Sequence, residues 1–337
     1  MHLDRKYGYT YNELKKNFPK NTLYKFKNYT KIESQDKVLA NTIYGFNKFL
    51  RLNKPNLVIV HGDRVEALAG AISASLNNYL TMHIEGGELT GTIDEHIRHS
   101  ISKLSHLHLV SNSIAKKRLI KNLGENPNSI FVCGSPDIDI MRKQFLPKIN
   151  EVKKKYSIFF EKYSILIFHP VTTELKKTKY FTNILLDACI KSGKKFVVIF
   201  PNNDPGNLDI LKVYKSKILK NENFKMLKSM RFEYFLSLLK NSNFIIGNSS
   251  AGIIEAPVYG IPTINLGSRQ NERVKNIKSI INVKFNISSI LSSISKINDK
   301  KFEKKFFFGH GNSAKKIAYI LKLKKIWNTP VQKKLKE

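Results

Sequence analysis

Hydrophobic residues along the chain fall into two patterns: short unbroken runs, and longer stretches where they recur every three or four positions. Residues 57–60, 79–84, 106–110 and 129–133 are runs with the length of buried strands. Residues 36–51 carry Val38, Leu39, Ile43, Phe46 and Leu50 at helical spacing. Helical patterns also fill the stretch up to Leu76, residues 94–104 and residues 113–123, the last stopped by Gly124. The alternation restarts in the second half, with strands predicted over 163–168, 195–200, 243–246 and 263–266. Helices are predicted there over 179–191 and 232–240, and onward from Ala251. Residues 11–18 read as a short helix, 201–206 as a turn, 314–326 as a closing helix, and Asn328 onward as a solvated basic tail. Strands alternating with amphipathic helices predict an α/β protein with parallel sheets. At 337 residues, two domains are expected. The predicted division is a first domain over 1–147, a Lys-rich linker over 148–160, a second domain over 161–313, a helix over 314–327 and a tail over 328–337.

In sheets of this class ligands sit just past the carboxyl ends of the strands. The first such end reads His61-Gly62-Asp63-Arg64 and the second Glu85-Gly86-Gly87-Glu88; Asp94 closes the Gly-rich loop that follows. Carboxylates gathered in one crevice suit proton transfer, because neighbouring negative charge keeps one of them protonated near neutral pH. The plainer reading has Asp63 ending a strand, Glu85 and Glu88 as solvated loop charges, and Thr92-Ile93-Asp94-Glu95 as a capping box. In the second half, Gly247-Asn248-Ser249-Ser250 joins a strand to a helix. Hydroxyls and backbone N–H groups there form either an anion site or an ordinary N-cap. His169, past a strand end and before Pro170, can donate to phosphate or act as an acid at neutral pH. Gly309-His310-Gly311-Asn312-Ser313 is a second, weaker turn of the same kind. His106 and His108 alternate along one strand without a third metal ligand nearby, which favours a structural role.

Composition narrows the classes. The formal charge of +32 is mostly Lys scattered over predicted helix faces and the tail, not one stripe interleaved with aromatics. That distribution fits a basic background and an anionic substrate better than specific nucleic-acid binding. Cys133 and Cys189 lie in apolar runs of separate halves, as buried thiols of a reducing compartment do. No apolar stretch approaches the ~18 residues of a membrane span. The start carries no signal-peptide pattern, so a cytoplasmic protein is expected.

The segments VHGDR (residues 60–64) and HIEGGELTGTIDEHIRH (83–99) closely resemble the hydrolysing UDP-N-acetylglucosamine 2-epimerases of bacterial sialic acid synthesis. The resemblance continues through FHPVTTE (168–174), SMRFEYF (229–235), IIGNSSAGIIE (245–255) and INLGSRQ (264–270). It implies two facing Rossmann-like domains of the glycosyltransferase-B kind, with the closing helix crossing back to the first domain. That family opens with a strand and a Gly-Ser/Thr-Arg loop, whereas this chain begins after it. The first domain is therefore expected to be truncated at its N-terminus by one βαβ unit, roughly 30 residues. By resemblance, Asp63, Glu85, Asp94 and His169 are the catalytic residues. Arg64, Arg231, Ser249, Ser250, Glu255 and Arg269 bind the substrate's UDP, with Glu255 on the ribose and the arginines neutralising diphosphate. The activity implied is release of UDP and N-acetylmannosamine through 2-acetamidoglucal, with no metal or cofactor, in a homodimer. Three other enzymes fit the motifs: a hydrolysing 2-epimerase of UDP-2,4-diacetamido-trideoxyglucose on a legionaminic acid route, a non-hydrolysing 2-epimerase, and a glycosyltransferase of similar fold. The non-enzyme alternative is an inactive truncated remnant or a basic binding protein.

Overall fold

The computed structural model describes Leu3 and residues 9–28, 34–142, 146–202, 204–270, 272–274, 276–297 and 299–334. Met1, Asn203 of the predicted turn and residues 335–337 of the tail lie outside them. The strands are β1 Leu57–His61, β2 Leu80–Ile84, β3 Leu107–Val110, β4 Ile130–Val132, β5 Ser164–Ile167, β6 Phe196–Ile199, β7 Phe224–Leu227, β8 Ile245–Gly247, β9 Thr263–Leu266 and β10 Ile280–Val283. In the first half the helices are α1 Tyr11–Asn17, α2 Gln35–Asn53, α3 Val65–Leu76, α4 Asp94–Leu104, α5 Ser113–Leu123 and α6 Pro136–Met141. They continue as α7 Ile149–Tyr156, α8 Thr178–Lys191, α9 Asn207–Lys217, α10 Phe232–Lys240, α11 Glu255–Val258, α12 Ile287–Ile297, α13 Ser313–Leu321 and α14 Lys324–Trp327. All strand pairs are parallel, in one four-stranded and one six-stranded sheet. No helix among the described residues is long and apolar enough to cross a membrane.

Two compact units result. Unit 1 comprises Met1–Glu88, Asp94–Pro136 and Asn312–Glu337, and its strands run in chain order, β1-β2-β3-β4. Val58 and Val60 of β1 pack with Leu50 of α2, Ala71 and Ala74 of α3, and Ile97 and Ile101 of α4. Leu80, Met82, Leu107 and Leu109 of the two inner strands meet Ile320 of α13 and Ile326 of α14 in a separate cluster. Each such aliphatic side chain contributes about 1.5–3 kcal/mol on burial.

Unit 2 comprises Leu89–Ile93 and Asp137–Gly311, with strand order β10-β9-β8-β5-β6-β7. Two βαβ halves diverge from the β5/β8 pair, the doubly wound arrangement. Alternate residues of β5 feed opposite cores. Ile165 and Ile167 join Leu236 and Leu239 of α10 and Val152 of α7, while Leu166 joins Leu185 and Leu186 of α8 and Ile290 and Ile294 of α12. Burial on both faces explains why the β5 region reads as an unbroken apolar run.

Three expectations change. The segment 148–160 is not a linker: α7 forms within it, and Val152 and Ile158 are buried in the core of unit 2. Three apolar positions of α7, Ile149, Val152 and Tyr156, lie on a helical stripe diluted by lysines. The helix expected over 314–326 is divided into α13 and α14. Nor is the tail solvated at Lys333. Its ammonium donates to the carbonyls of Ser102, Lys103 and Ser105 at 3.2, 2.9 and 2.7 Å, around the C-terminus of α4. It also pairs with both oxygens of the buried Glu125.

His108, one of the paired strand histidines, lies 3.1 Å from Glu125 through Nε2. The other, His106, accepts from the Thr81 N–H at 3.1 Å and reaches the Val331 carbonyl at 2.9 Å. Burial alone would raise the Glu125 carboxyl, but hydrogen bonds from His108 and Lys333 together hold it below its ordinary value of 4.5. A depressed carboxyl stabilises the fold above that value, and the contribution is lost as pH falls through the folded value. Lys333→Met should therefore cost about 2 kcal/mol at pH 7. The difference from wild type, read from urea midpoints, should shrink below pH 4.5.

Candidate active site

The carboxyl edge of the unit 1 sheet carries the acids expected from sequence. β1 and β2 end side by side, His61 opposite Ile84, so Asp63 and Glu85 follow adjacent strands. Gly62, at φ +77°, turns the chain there, and its N–H donates to the Ile84 carbonyl at 3.0 Å. Glu85 itself sits at φ +67°, a left-handed conformation costing a non-glycine residue about 1–3 kcal/mol. Its N–H is tied to the Leu109 carbonyl at 2.9 Å, and its carboxylate lies 3.1 Å from Nε2 of His61. Asp94 is the first residue of α4, and Arg64 follows Asp63 at the N-cap of α3.

Arg98, one turn after Asp94 on α4, is buried; it pairs with the Asp63 carboxylate and donates to the Glu88 carbonyl at 3.1 Å. Glu88 is not a solvated loop charge: it is buried and accepts from the Ser111 hydroxyl at 2.9 Å. Sequence reasoning left Arg98 and His61 out of the site. Their signals were present, an Arg four residues after Asp94 and a His two before Asp63, but nothing local identified their partners.

In unit 2 the expected anion site lies at the topological switch point, where β5 and β8 are neighbours. Asn248 organises it. Its N–H donates to Ile167 at 3.2 Å, its amide oxygen accepts from the His169 N–H at 2.7 Å, and its amide nitrogen donates to the His169 carbonyl at 2.8 Å. The Asn248 carbonyl accepts from Arg269 at 3.3 Å and Gln270 at 3.2 Å. Asn202 donates its N–H to Nδ1 of His169 at 3.1 Å, so the neutral ring carries its proton on Nε2. Asn248, Asn202 and Gln270 lie in segments that sequence reasoning singled out, but it gave none of them these contacts.

The helix expected from Ala251 is instead a 3₁₀ turn, Ser250–Gly252, then the one-turn α11 beginning at the buried Glu255. Thr263 draws off the Gly252 carbonyl at 2.7 Å, and Pro257 has no N–H to continue a helical ladder. Ser249 caps that turn, accepting from the Ala251 N–H at 3.3 Å. Arg231 caps α10; its described contacts include Glu233 at 3.9 Å and the Tyr234 ring. Gly91 of the Gly-rich loop packs in unit 2, its N–H donating to the Arg269 carbonyl at 3.1 Å.

Gly247 permits the close approach of β8 to β5. It sits at φ +135°, and a Cβ there would lie 1.9 Å from the Ile167 carbonyl oxygen. Gly247→Ala should destabilise the fold by about 3 kcal/mol, from backbone strain plus a forced separation of two core strands. Chemical denaturation of the purified variant measures it.

The family model described as UDP-N-acetylglucosamine 2-epimerase matches residues 1–322. The chain is 42% identical over 340 aligned positions to the UDP-N-acetylglucosamine 2-epimerase of Neisseria meningitidis serogroup B, covering 99% of this chain and 88% of that one. It is 31% identical to the hydrolysing UDP-N,N'-diacetylbacillosamine 2-epimerase of Legionella pneumophila, covering 96% and 86%. The crystal structure of a Neisseria meningitidis UDP-GlcNAc 2-epimerase bound to UDP-GlcNAc superposes with a TM-score of 0.78 at 20% identity, covering 92% of this chain and 88% of that one. That likeness gives the α/β fold its glycosyltransferase-B-like character. By the family match and the identity to these relatives, the chain belongs to the UDP-N-acetylglucosamine 2-epimerase family.

Proposed function

We propose that the chain is a hydrolysing 2-epimerase that converts UDP-N-acetylglucosamine to N-acetylmannosamine and UDP in sialic acid synthesis. One observation carries this reading. Glu85 is held in a strained left-handed turn with His61 on its carboxylate, one strand from an Asp63 clamped by Arg98. Strain of this kind persists where surrounding structure enforces it, and it clusters at active sites.

In the first step Glu85 removes the proton at C2. The electron pair becomes the C1–C2 double bond, and the C1–O bond breaks toward the diphosphate, leaving 2-acetamidoglucal and UDP. Departing charge is met by Arg269, Ser249, Ser250 and the Nε2–H of His169, with Arg231 and Arg64 adding positive charge. Glu255 takes the ribose hydroxyls. In the second step water adds its oxygen to C1, and a proton reaches C2 on the opposite face, giving N-acetylmannosamine. Asp63 and Asp94 deliver the proton and position the water. Both steps are non-redox, and carboxylates and imidazole suffice for their proton transfers. The segment Glu85-Gly86-Gly87-Glu88 supports hydrolysis over return of an epimerised UDP-sugar. A cytoplasmic homodimer is part of this reading.

The Legionella relative supports a second reading, in which the substrate is UDP-N,N'-diacetylbacillosamine. NMR of the chain incubated separately with each sugar nucleotide decides between them. Free UDP and N-acetylmannosamine in equal amounts, with solvent deuterium at C2, are expected from UDP-N-acetylglucosamine. Glu85→Gln should lower kcat by about 10²–10⁴-fold; wild-type turnover by that variant removes Glu85 from the chemistry. UDP-bound epimer without free UDP would point to a non-hydrolysing enzyme, and turnover of the diacetamido sugar alone to the second reading.

A further inference from the structure

Beneath the two acid-bearing turns lies a histidine the mechanism does not use. His83, on β2 two residues before Glu85, is wholly buried. Its Nε2 is 2.9 Å from the carbonyl oxygen of Gly62, the residue before Asp63, and its Nδ1 is 3.0 Å from the Ser102 hydroxyl on α4. A carbonyl only accepts, so Nε2 carries the proton; Nδ1 then accepts from Ser102. Burial pushes the ring down to about 3, so one neutral tautomer persists across the physiological range.

Two further contacts bind this histidine to the acids. Gly86, immediately after Glu85, closes over the ring: a Cβ there would lie 2.7 Å from Ser102 Oγ and 2.9 Å from His83 Nδ1. A larger residue would push the Glu85 turn off its support. Ser102 also stands one turn after Arg98 on α4, so a single helix face holds Asp63 through Arg98 and His83 through Ser102.

We propose that His83 is a positioning residue for the epimerase reaction. It bridges the Ser102 hydroxyl and the Gly62 carbonyl under Gly86, and so sets the spacing of Asp63 and Glu85. The inference rests on the proposed epimerase reading. Asp63 hangs from the turn whose carbonyl His83 holds, and Glu85 from the turn packed on its ring. Losing the bridge lets the two carboxylates move relative to each other while the diphosphate-binding residues of unit 2 stay as they are.

The test uses full-length His83→Phe, His83→Gln and Ser102→Ala chains, assayed for UDP release and titrated with UDP by calorimetry. A misplacement of about 1 Å costs on the order of 100-fold in rate. His83→Phe should therefore lose about 100-fold in kcat, with KM and UDP affinity within about threefold. His83→Gln, whose amide can still donate to Gly62, should regain part of the loss. Ser102→Ala, which removes one hydroxyl from a helix face, should lose roughly tenfold. In the wild type, ¹⁵N NMR should show the Nε2-protonated tautomer unchanged from pH 5 to 8. Near wild-type kcat in His83→Phe and Ser102→Ala, or a wild-type His83 that titrates near 6.5, overturns the proposal. So does UDP affinity falling in parallel with kcat. A wild-type chain that binds UDP but turns over neither sugar nucleotide sinks the epimerase reading, and this inference with it.

Discussion

A buried guanidinium is tolerable only where its charge is matched and its donors are engaged. Arg98 of α4 meets both conditions, pairing with Asp63 and donating to the Glu88 carbonyl. The geometry of unit 1's functional edge follows from that pairing. The guanidinium fixes where α4 can lie against the ends of β1 and β2. Once α4 is placed, Asp94 at its first residue and Ser102 two turns later are placed as well. Lys333 holds the other end of the helix, donating to the carbonyls of Ser102, Lys103 and Ser105. Asp94 therefore stands on a helix held at both ends, and Asp63 and Glu85 on the turns that directly follow two adjacent strands.

Unit 2 organises the end of β8 around a neutral side chain instead. Asn248 exchanges two hydrogen bonds with the backbone of His169 and accepts two more on its carbonyl. A neutral amide carries no desolvated charge, and its fixed donor and acceptor allow one pairing geometry. The contrast suits the proposed division of labour. Proton transfer needs carboxylates whose charges are balanced by neighbours. Holding a diphosphate needs positive charge and donors aimed outward, with internal bonds that do not compete for them.

Among the acids of the unit 1 edge, Glu85 carries backbone strain. Glu85 in the left-handed region is destabilising, and its N–H bond to Leu109, its contact with His61 and the packing of Gly86 on His83 and Ser102 together hold it there. A glycine at position 85 would relieve the backbone but remove the carboxylate. The side chain is retained at a position whose geometry favours glycine, which supports the proposed role of its carboxylate.

The apolar runs determined most of the architecture, because a strand buried on both faces must be hydrophobic throughout; β2, β3, β5 and β6 were legible for that reason, and β1, an edge strand with Ile59 exposed, was legible because its exposed face is apolar too. β7 and β10 were not. They lie at the sheet edges, where Phe-Lys-Met-Leu and Ile-Ile-Asn-Val admit polar residues. Likewise α7 and α12 bury narrow stripes diluted by lysines and serines. That Asp63 and Glu85 share one edge was legible from position alone, since parallel strands deliver their carboxyl ends to one edge. What those acids touch was not. Ser102 is 19 residues from His83, Arg98 is 35 from Asp63 and Asn248 is 79 from His169. Sequence periodicity reports which face of an element is buried; only the tertiary structure decided which buried polar groups meet, because hydrogen-bond partners are chosen by distance in space.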